Sequence, residues 1–135
     1  MNPTVEWRMV HFNSNKKNFI QWEKYWYLNN CEGFVFPSIS EGFGIPPIEA
    51  MRLGKPVFLS KATSLPEIGG EVAYYFESFD NKKMAEIIQS GLLDFHEKDK
   101  SQVSIDWSNK FTWEKSGKMY KEVYLEVINN WNDII

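Results

Sequence analysis

Short apolar runs recur along the chain at intervals that suit the strands of a sheet. They lie at residues 8–12, 33–36, 56–60 and 72–76. Pro37 directly follows the second run, and proline cannot continue a strand ladder because it has no backbone N–H. The polar segment at residues 13–18 is typical of a turn. The pattern therefore predicts four strands, all of them short.

Between and after these runs, apolar residues recur every three or four positions, which is the period of a helix. Phe19, Trp22 and Trp26 share one face of a helix predicted over residues 19–28. A later helix follows Asp80 with its apolar face turned inward, and Thr112 can cap the last long helix. The first of these later faces comprises Met84, Ile87, Ile88 and Leu92, and the second comprises Tyr120, Val123, Tyr124, Val127, Ile128 and Trp131.

A further short helix is predicted to begin at Pro47 and to end at Gly54. A residue that precedes proline is pushed away from helical angles, so we expect Ile45 and Pro46 to lie outside this helix. Proline suits the first helical position. Glu49 then falls within the first turn.

Strands that alternate with helices indicate an α/β domain with a parallel sheet and helices on both faces. We assign residues 1–135 to one such Rossmann-like domain. In sheets of this kind a ligand binds in the crevice at the carboxyl ends of the strands. Glu41 and the loop after Ser60 both fall at that edge. We therefore expect the functional site there.

The segment that leads into the short helix carries the most informative chemistry. Glu41 and Glu49 flank a loop in which Gly42 and Gly44 permit positive φ angles and close approach of a ligand. Unpaired N–H groups at a helix start suit an anionic ligand. Carboxylates accept hydrogen bonds from hydroxyl groups and repel anions. A nucleotide sugar carries phosphate groups for the N–H donors and hydroxyl groups for the carboxylates, so it suits both parts of this segment.

Four blocks of the chain, in the right order, resemble a known family. The first block is residues 36–51 (FPSISEGFGIPPIEAM), and the others are residues 54–57 (GKPV), 64–70 (SLPEIGG) and 111–113 (FTW). Together they closely resemble the retaining glycosyltransferases of family GT4, the glycosyl transferases group 1, which have the GT-B fold. The resemblance covers roughly residues 29–124. It implies that the chain is part of the second, donor-binding domain of a GT-B enzyme.

The resemblance also implies roles for individual residues. Glu41 matches the glutamate that lies beside the donor sugar and helps to stabilise the reacting complex, so it is the expected catalytic residue. Glu49 matches the glutamate that hydrogen-bonds the ribose hydroxyls. The backbone amides at the helix start would face the sugar or the phosphates, while the ring of Phe43 would serve packing. The implied donor-binding set is Gly42, Phe43, Gly44, Ile45 and Glu49.

The chain departs from the family pattern in residues 1–28. This stretch contains no match to the arginine and lysine that neutralise the donor diphosphate, and Arg8, Lys16 and Lys17 do not fit that pattern. The N-terminal acceptor domain of a GT-B enzyme has no counterpart either. We therefore expect little or no transferase activity from this chain alone. A missing N-terminal domain or a partner chain would complete the enzyme.

Charge and composition exclude several classes of partner. The net charge is −3 with no basic cluster, so nucleic acid is not expected to bind. The single cysteine, Cys31, cannot form an internal disulfide and suits a reducing, cytoplasmic location. We expect no transmembrane segment, while peripheral membrane contact of the full enzyme is compatible with the sequence. No Asp-x-Asp or metal-ligand cluster occurs, so we expect no metal cofactor, and the nucleotide sugar is a substrate.

Residues around the motif have simpler interpretations. The segment at residues 64–67 is expected to shape the loop beside the site, with Glu67 in a structural role. Lys61 is interpreted as a solvated lysine, and His11 and His96 as ordinary surface or core residues. Aromatic residues make up 16% of the chain. This excess favours an aromatic core over a docking surface, although the last helix suits either.

Other functions compete with the donor site. A non-catalytic interaction module, or one subunit of a split glycosyltransferase, would keep the fold and act through protein contacts. A flavodoxin-type nucleotide fold matches the α/β pattern but lacks its acidic cluster. Glycoside hydrolysis by two carboxylates ranks low because Glu49 is assigned to the ribose. Assembly of bacterial surface polysaccharides or glycolipids is a common setting for the family.

Overall fold

The computed structural model describes residues 21–131, which form an α/β arrangement around a parallel sheet. The sheet has three strands in chain order: β1 (Phe34–Phe36), β2 (Val57–Ser60) and β3 (Tyr74–Phe76). Val35 lies beside Phe58 in the register, and Phe58 lies beside Tyr74. The predicted α/β fold class is therefore confirmed, with strands slightly shorter than predicted.

The described residues form six helices around this sheet. They are α1 (Gln21–Asn30), α2 (Ile45–Arg52), α3 (Leu65–Gly69), α4 (Asn81–Glu97), α5 (Ser101–Ser108) and α6 (Trp113–Asn130). The side chain of Asp80 accepts the N–H of Lys83 at the start of α4, and Thr112 does the same for Lys115 at α6. Both caps confirm the predicted helix starts. The strand predicted at residues 8–12, the turn after it and Phe19 lie outside the described residues.

Strand β2 is the centre of the core, and its side chains alternate between two faces. Val57 and Leu59 pack with buried residues of α1, α2 and α3. Phe58 points to the other face, where its ring stacks on Tyr74 with centroids 5.2 Å apart. Because successive residues of β2 are all buried, the sheet must be covered on both sides.

Helix α4 covers the second face at very short range. A Cβ atom on Gly91 would lie 2.6 Å from the ring of Phe58 and 2.9 Å from that of Tyr74. Phe58 is fully buried and cannot move aside, so only glycine lets the helix approach this closely. The inward face predicted for this helix is partly buried: Met84, Ile87, Ile88 and Leu92. Helices on both faces of the sheet are thus confirmed.

Helix α2 begins earlier than predicted. Ile45 and Pro46 are helical although each precedes a proline, and Gly44 is the N-cap in the left-handed region. Pro47 is buried in the core, so tertiary packing overrides the local preference of residues before proline. The missing proline N–H groups cost little in the first turn, where they would have no intrahelical partner. As a result, Glu49 lies beyond the first turn and not within it.

Many aromatic side chains lie on the surface, so the prediction of an aromatic core is wrong for them. Trp22 and Trp113 are 79% and 83% exposed, and Trp26 and Trp131 are exposed as well. Trp107 is half-buried, and its Nε1 donates to a backbone carbonyl of α3 at 2.8 Å. Apolar periodicity shows that a helix has an apolar face, but it does not show what covers that face.

Helix α6 has no buried residue. The predicted apolar stripe is present and exposed along its whole length: Tyr120, Val123, Tyr124, Val127, Ile128 and Trp131. Within residues 21–131 nothing covers it, so the core interpretation of this stripe is wrong and docking on a partner remains a prediction. None of the described helices is long and apolar enough to cross a membrane.

Asp94 of α4 is held by charged and polar neighbours. Lys98 and Lys100 form ion pairs with its two carboxylate oxygens, and the hydroxyl of Tyr74 donates to one of them at 2.7 Å. These contacts, with Lys100 first, hold the pKa of the Asp94 carboxyl well below its usual value of 3.8. The cluster joins β3 to both ends of the turn after α4.

We expect this cluster to make folding sensitive to acid. A lowered folded-state pKa means that acid adds protons to the unfolded chain first, so the stabilisation is full above the usual pKa and is lost below it. Asp94→Asn should therefore lower the free energy of unfolding at neutral pH, with a smaller deficit at about pH 3. Urea unfolding at both pH values measures this. An equal loss of stability in the variant at both pH values would contradict a stabilising role of the ionised Asp94 carboxylate.

Candidate functional site

Two loops meet at the carboxyl edge of the sheet, where the site was predicted. The glycine loop (residues 37–44) follows β1, and the serine loop (residues 61–64) follows β2. Ser60, the last residue of β2, donates a hydrogen bond from its hydroxyl to the carbonyl oxygen of Ser38. The segment with Glu41 and the loop after Ser60 therefore form one edge, as parallel strand order implies.

Side chains of the serine loop hold the glycine loop in place. The backbone N–H of Glu41 donates to Oγ1 of Thr63 at 3.0 Å. The hydroxyl of Ser64 donates to the carbonyl oxygens of Phe43 at 2.9 Å and of Glu41 at 3.3 Å. Thr63 has a φ of 47°, which is rare for a β-branched residue. The shape of the glycine loop thus depends on hydroxyl groups from the other loop. The loop-shaping role predicted for residues 64–67 is confirmed for Ser64.

The carboxylate of Glu41 is half-buried and partly engaged. Its Oε1 accepts a hydrogen bond of 2.8 Å from the hydroxyl of Ser38. None of the other described residues donates to Oε2, which leaves that oxygen able to accept from a ligand. Glu41 is therefore oriented by a neighbouring hydroxyl and retains a free acceptor at the edge of the sheet.

Three consecutive backbone amides have no partner among the described residues where the glycine loop enters α2. The N–H groups of Phe43, Gly44 and Ile45 donate to no other described residue. The next two residues, Pro46 and Pro47, have no N–H to offer. A short row of free donors at the start of a helix suits an anionic group or a developing oxyanion.

The two glycines of this loop have different structural requirements. Gly44 has a φ of 106°, and a Cβ atom on it would lie 3.1 Å from Cδ2 of Leu65. Gly42 is not left-handed, and nothing lies within 4 Å of a Cβ atom added there. The predicted need for positive φ is therefore confirmed for Gly44 only. The half-exposed ring of Phe43 packs edge-on against Phe111, with centroids 6.3 Å apart, which confirms its packing role.

Glu49 lies in the second turn of α2 and faces α1. Its Oε1 accepts a hydrogen bond of 2.8 Å from Nζ of Lys24. Its Oε2 is buried, with no partner in the described part of the chain. Glu49 and Glu41 have different hydrogen-bond partners. Glu49 is held by Lys24 of α1, and Glu41 is held by Ser38 of its own loop.

Sequence reasoning missed both Lys24 and Thr63. Lys24 belongs to a helix whose visible pattern is its row of aromatic residues, and its contact with Glu49 depends on how α1 packs against α2. Thr63 lies in a loop where no local pattern signals a left-handed threonine. Both contacts join residues that are far apart in the chain, so no local signal could have found them.

Other residues near the motif have minor roles. Glu67 is exposed in the first turn of α3, and its side chain bonds to no described residue, so the structural role predicted for it stays a prediction. Lys61 forms an exposed ion pair with Glu77. His96 is exposed, as an ordinary surface histidine is, and His11 lies outside the described residues. Across residues 21–131, no group of three or more His, Cys, Asp or Glu residues could hold a metal ion.

A cavity of about 340 Å³ opens beside the glycine loop, at the carboxyl ends of β2 and β3. Ile39, Phe76 and Phe79 form its apolar wall. On its polar side, the hydroxyl of Ser78 is buried and has no described partner. This cavity provides space for part of a ligand next to the two loops.

The chain matches known proteins over most of its length. Residues 11–104 match the profile of the family described as glycosyl transferases group 1. The serotype-specific mannosyltransferase WbdA of Escherichia coli is 35% identical over 104 residues, covering 76% of this chain and 13% of WbdA. The O-antigen chain mannosyltransferase B of the same species is 38% identical over 82 residues, covering 60% of this chain and 22% of that protein.

A more distant match is the capsular polysaccharide biosynthesis glycosyltransferase CapM of Staphylococcus aureus. It is 31% identical over 102 residues, covering 70% of this chain and 27% of CapM. No solved structure matches the chain at a significant level. The chain thus spans only about an eighth of the length of WbdA, the curated relative that it matches at 35% identity.

Proposed function

Because this chain belongs to the glycosyl transferases group 1 family, we propose that it binds a nucleotide sugar as the donor site of a retaining glycosyltransferase. The proposal rests on the row of three amides at the start of α2 that no described residue pairs, which lies between Glu41 and Glu49 in the sequence. The amides suit phosphate or sugar oxygens, and the carboxylates suit hydroxyl groups. In this proposal the described residues belong to the second domain of a GT-B fold.

The proposed reaction replaces the nucleotide on the donor sugar by a hydroxyl group of the acceptor. The bond from the anomeric carbon to the diphosphate breaks, a bond to the acceptor oxygen forms with retained configuration, and the hydroxyl proton is released. Negative charge grows on the departing diphosphate. Amides fixed by the left-handed Gly44 and the rigid start of α2 stabilise that charge without having to reorient.

The two carboxylates have separate tasks in this proposal. Glu41, oriented by Ser38, lies beside the sugar and stabilises the positive charge that develops on the ring in the reacting complex. Glu49 accepts hydrogen bonds from the ribose hydroxyls through its unpartnered oxygen. The amides carry part of the charge of the diphosphate. We propose that basic side chains carry the rest, without a bound metal ion or other cofactor.

The names of the relatives suggest the sugar and the setting. WbdA and the O-antigen chain protein are named as mannosyltransferases, and CapM is named for capsular polysaccharide biosynthesis. We extend the proposal to a hexose, with mannose as the first candidate, and to the assembly of a polysaccharide in the cytoplasm. The single cysteine among 135 residues supports a reducing location.

We also propose that the chain does not catalyse transfer alone. It spans 13% of the length of WbdA, and no cationic side chain is seen bonded at the glycine loop within residues 21–131. A diphosphate near Glu41 needs positive partners because like charges repel strongly in a partly desolvated site. The arginine and lysine of the family's second domain, which have no match in residues 1–28, or a partner chain would supply them.

A second candidate function is a non-catalytic interaction module. The exposed apolar stripe of α6 favours it, because such stripes mark surfaces where other proteins dock. The unpaired amides and the unpartnered oxygen of Glu49 favour the donor site instead, since protein docking on α6 requires neither of them.

Calorimetric titration with UDP, GDP and ADP, and with the mannose conjugate of each, tests the proposal. We expect one of the three nucleotides to bind saturably at micromolar to millimolar concentration. The matching nucleoside should bind much more weakly because it lacks the phosphates. No binding of any nucleotide at millimolar concentration would contradict the donor site. If the chain self-associates and binds no nucleotide, that result would support the interaction module.

A further inference from the structure

An ion pair joins α1 to the carboxylate proposed to bind ribose. Lys24 Nζ lies 2.8 Å from Glu49 Oε1, and the side chains are 36% and 31% exposed. Lys24 lies one helical turn before Leu28, and residues four apart share a helix face. Leu28 is buried in the core with residues of α2, so its burial also turns Lys24 toward α2. The position of Lys24 is therefore set by packing.

The carboxylate of Glu49 has one oxygen engaged and one oxygen unpartnered. An ammonium group donates hydrogen bonds and accepts none, so Lys24 can hold Oε1 but cannot compete for a ligand's donors. Oε2 is buried, and no described residue donates to it. Buried polar atoms without a partner are rare in folded proteins, and such an atom at a proposed binding site calls for a ligand hydroxyl.

We propose that Lys24 is a positioning residue for donor recognition. By anchoring Oε1, it fixes the rotation of the Glu49 carboxylate so that Oε2 faces the ribose of the nucleotide and accepts a hydrogen bond from a ribose hydroxyl. This inference rests on the proposed donor site and deepens it, because it makes α1 part of the recognition of the ribose. Lys24 acts here through Glu49 and not through contact with the phosphates.

The test compares nucleotide binding by Lys24 variants of the full chain. The probes are whichever of UDP, GDP and ADP binds most tightly, and the 2′,3′-dideoxy analogue of that nucleotide, which cannot donate from its ribose. We expect Lys24→Met to weaken binding of the ribonucleotide about fivefold to tenfold. Binding of the dideoxy analogue should change by less than about twofold, because it has no ribose hydroxyl that could donate a hydrogen bond to Glu49. Lys24→Arg should restore most of the affinity, since it keeps a donor at this position.

Lys98→Met is the matched control, because it removes a lysine from an ion pair with Asp94 in another part of the protein. It should leave both affinities unchanged. Equal losses for the two probes in Lys24→Met would overturn the inference, since they would indicate phosphate contact or altered folding. Unchanged binding in that variant would overturn it as well. Failure of the unmodified chain to bind any nucleotide would instead contradict the donor site on which the inference rests.

Discussion

Replacing Glu49 by glutamine should weaken nucleotide binding about tenfold to a hundredfold. A hydrogen bond to a charged group contributes roughly 1.5–3 kcal/mol, and each 1.4 kcal/mol is about a factor of ten in affinity. Glu49→Gln keeps the shape of the side chain and removes the charge that makes Oε2 a strong acceptor for ribose hydroxyls. Calorimetric titration of the variant with the nucleotide that binds the unmodified chain measures the loss.

Glu67→Gln is the control for this experiment. Glu67 is an exposed carboxylate on the neighbouring α3, so its neutralisation changes the net charge by the same amount. We expect its affinity to match that of the unmodified chain. Both variants should remain folded, because Glu49→Gln keeps a side-chain oxygen that can accept the hydrogen bond of Lys24, and Glu67 is exposed. Equal binding by the Glu49 and Glu67 variants would remove Glu49 from the donor site.

Gly44→Ala should destabilise the fold and also reduce nucleotide binding. The φ of 106° at Gly44 disfavours any side chain, at a cost of roughly 1–2 kcal/mol. The new Cβ atom would also lie 3.1 Å from buried Leu65, which has little room to move. Relief of this strain would rotate the unpaired amides of the site. Urea unfolding measures the first effect, and calorimetric titration measures the second.

Gly42→Ala separates binding from folding. Gly42 is outside the left-handed region and a methyl group there would meet nothing within 4 Å, so the free energy of unfolding should change by less than about 0.5 kcal/mol. The methyl group would enter the open space before the glycine loop, where the donor is proposed to bind. We therefore expect weaker binding at unchanged stability. A variant that binds normally would place the ligand elsewhere.

Local features of the sequence predicted the elements that they control directly. Asp80 and Thr112 start α4 and α6 because each side chain bonds to an N–H three residues later. The run at residues 56–60 is apolar without alternation, and it forms the β2 strand that is buried on both faces. Capping and burial of a short run depend on neighbours in the chain, so such features can be read from sequence.

Local rules failed where tertiary packing was stronger. The preference of residues before proline placed the start of α2 at Pro47, but core packing makes Ile45 and Pro46 helical as well. Because α2 begins two residues earlier than predicted, Glu49 lies beyond its first turn. The stripe on α6 is amphipathic, as predicted, yet periodicity could not show that it would be exposed.

The sequence alone determined the α/β order, the family and the residues of the glycine loop, because each is encoded in short stretches of chain. Only the tertiary structure decided how those residues are held. Thr63 and Ser64 reach the glycine loop, and Lys24 reaches Glu49, across spans of more than twenty residues. Such contacts depend on how strands and helices pack in three dimensions, so no periodicity or motif in the chain predicts them.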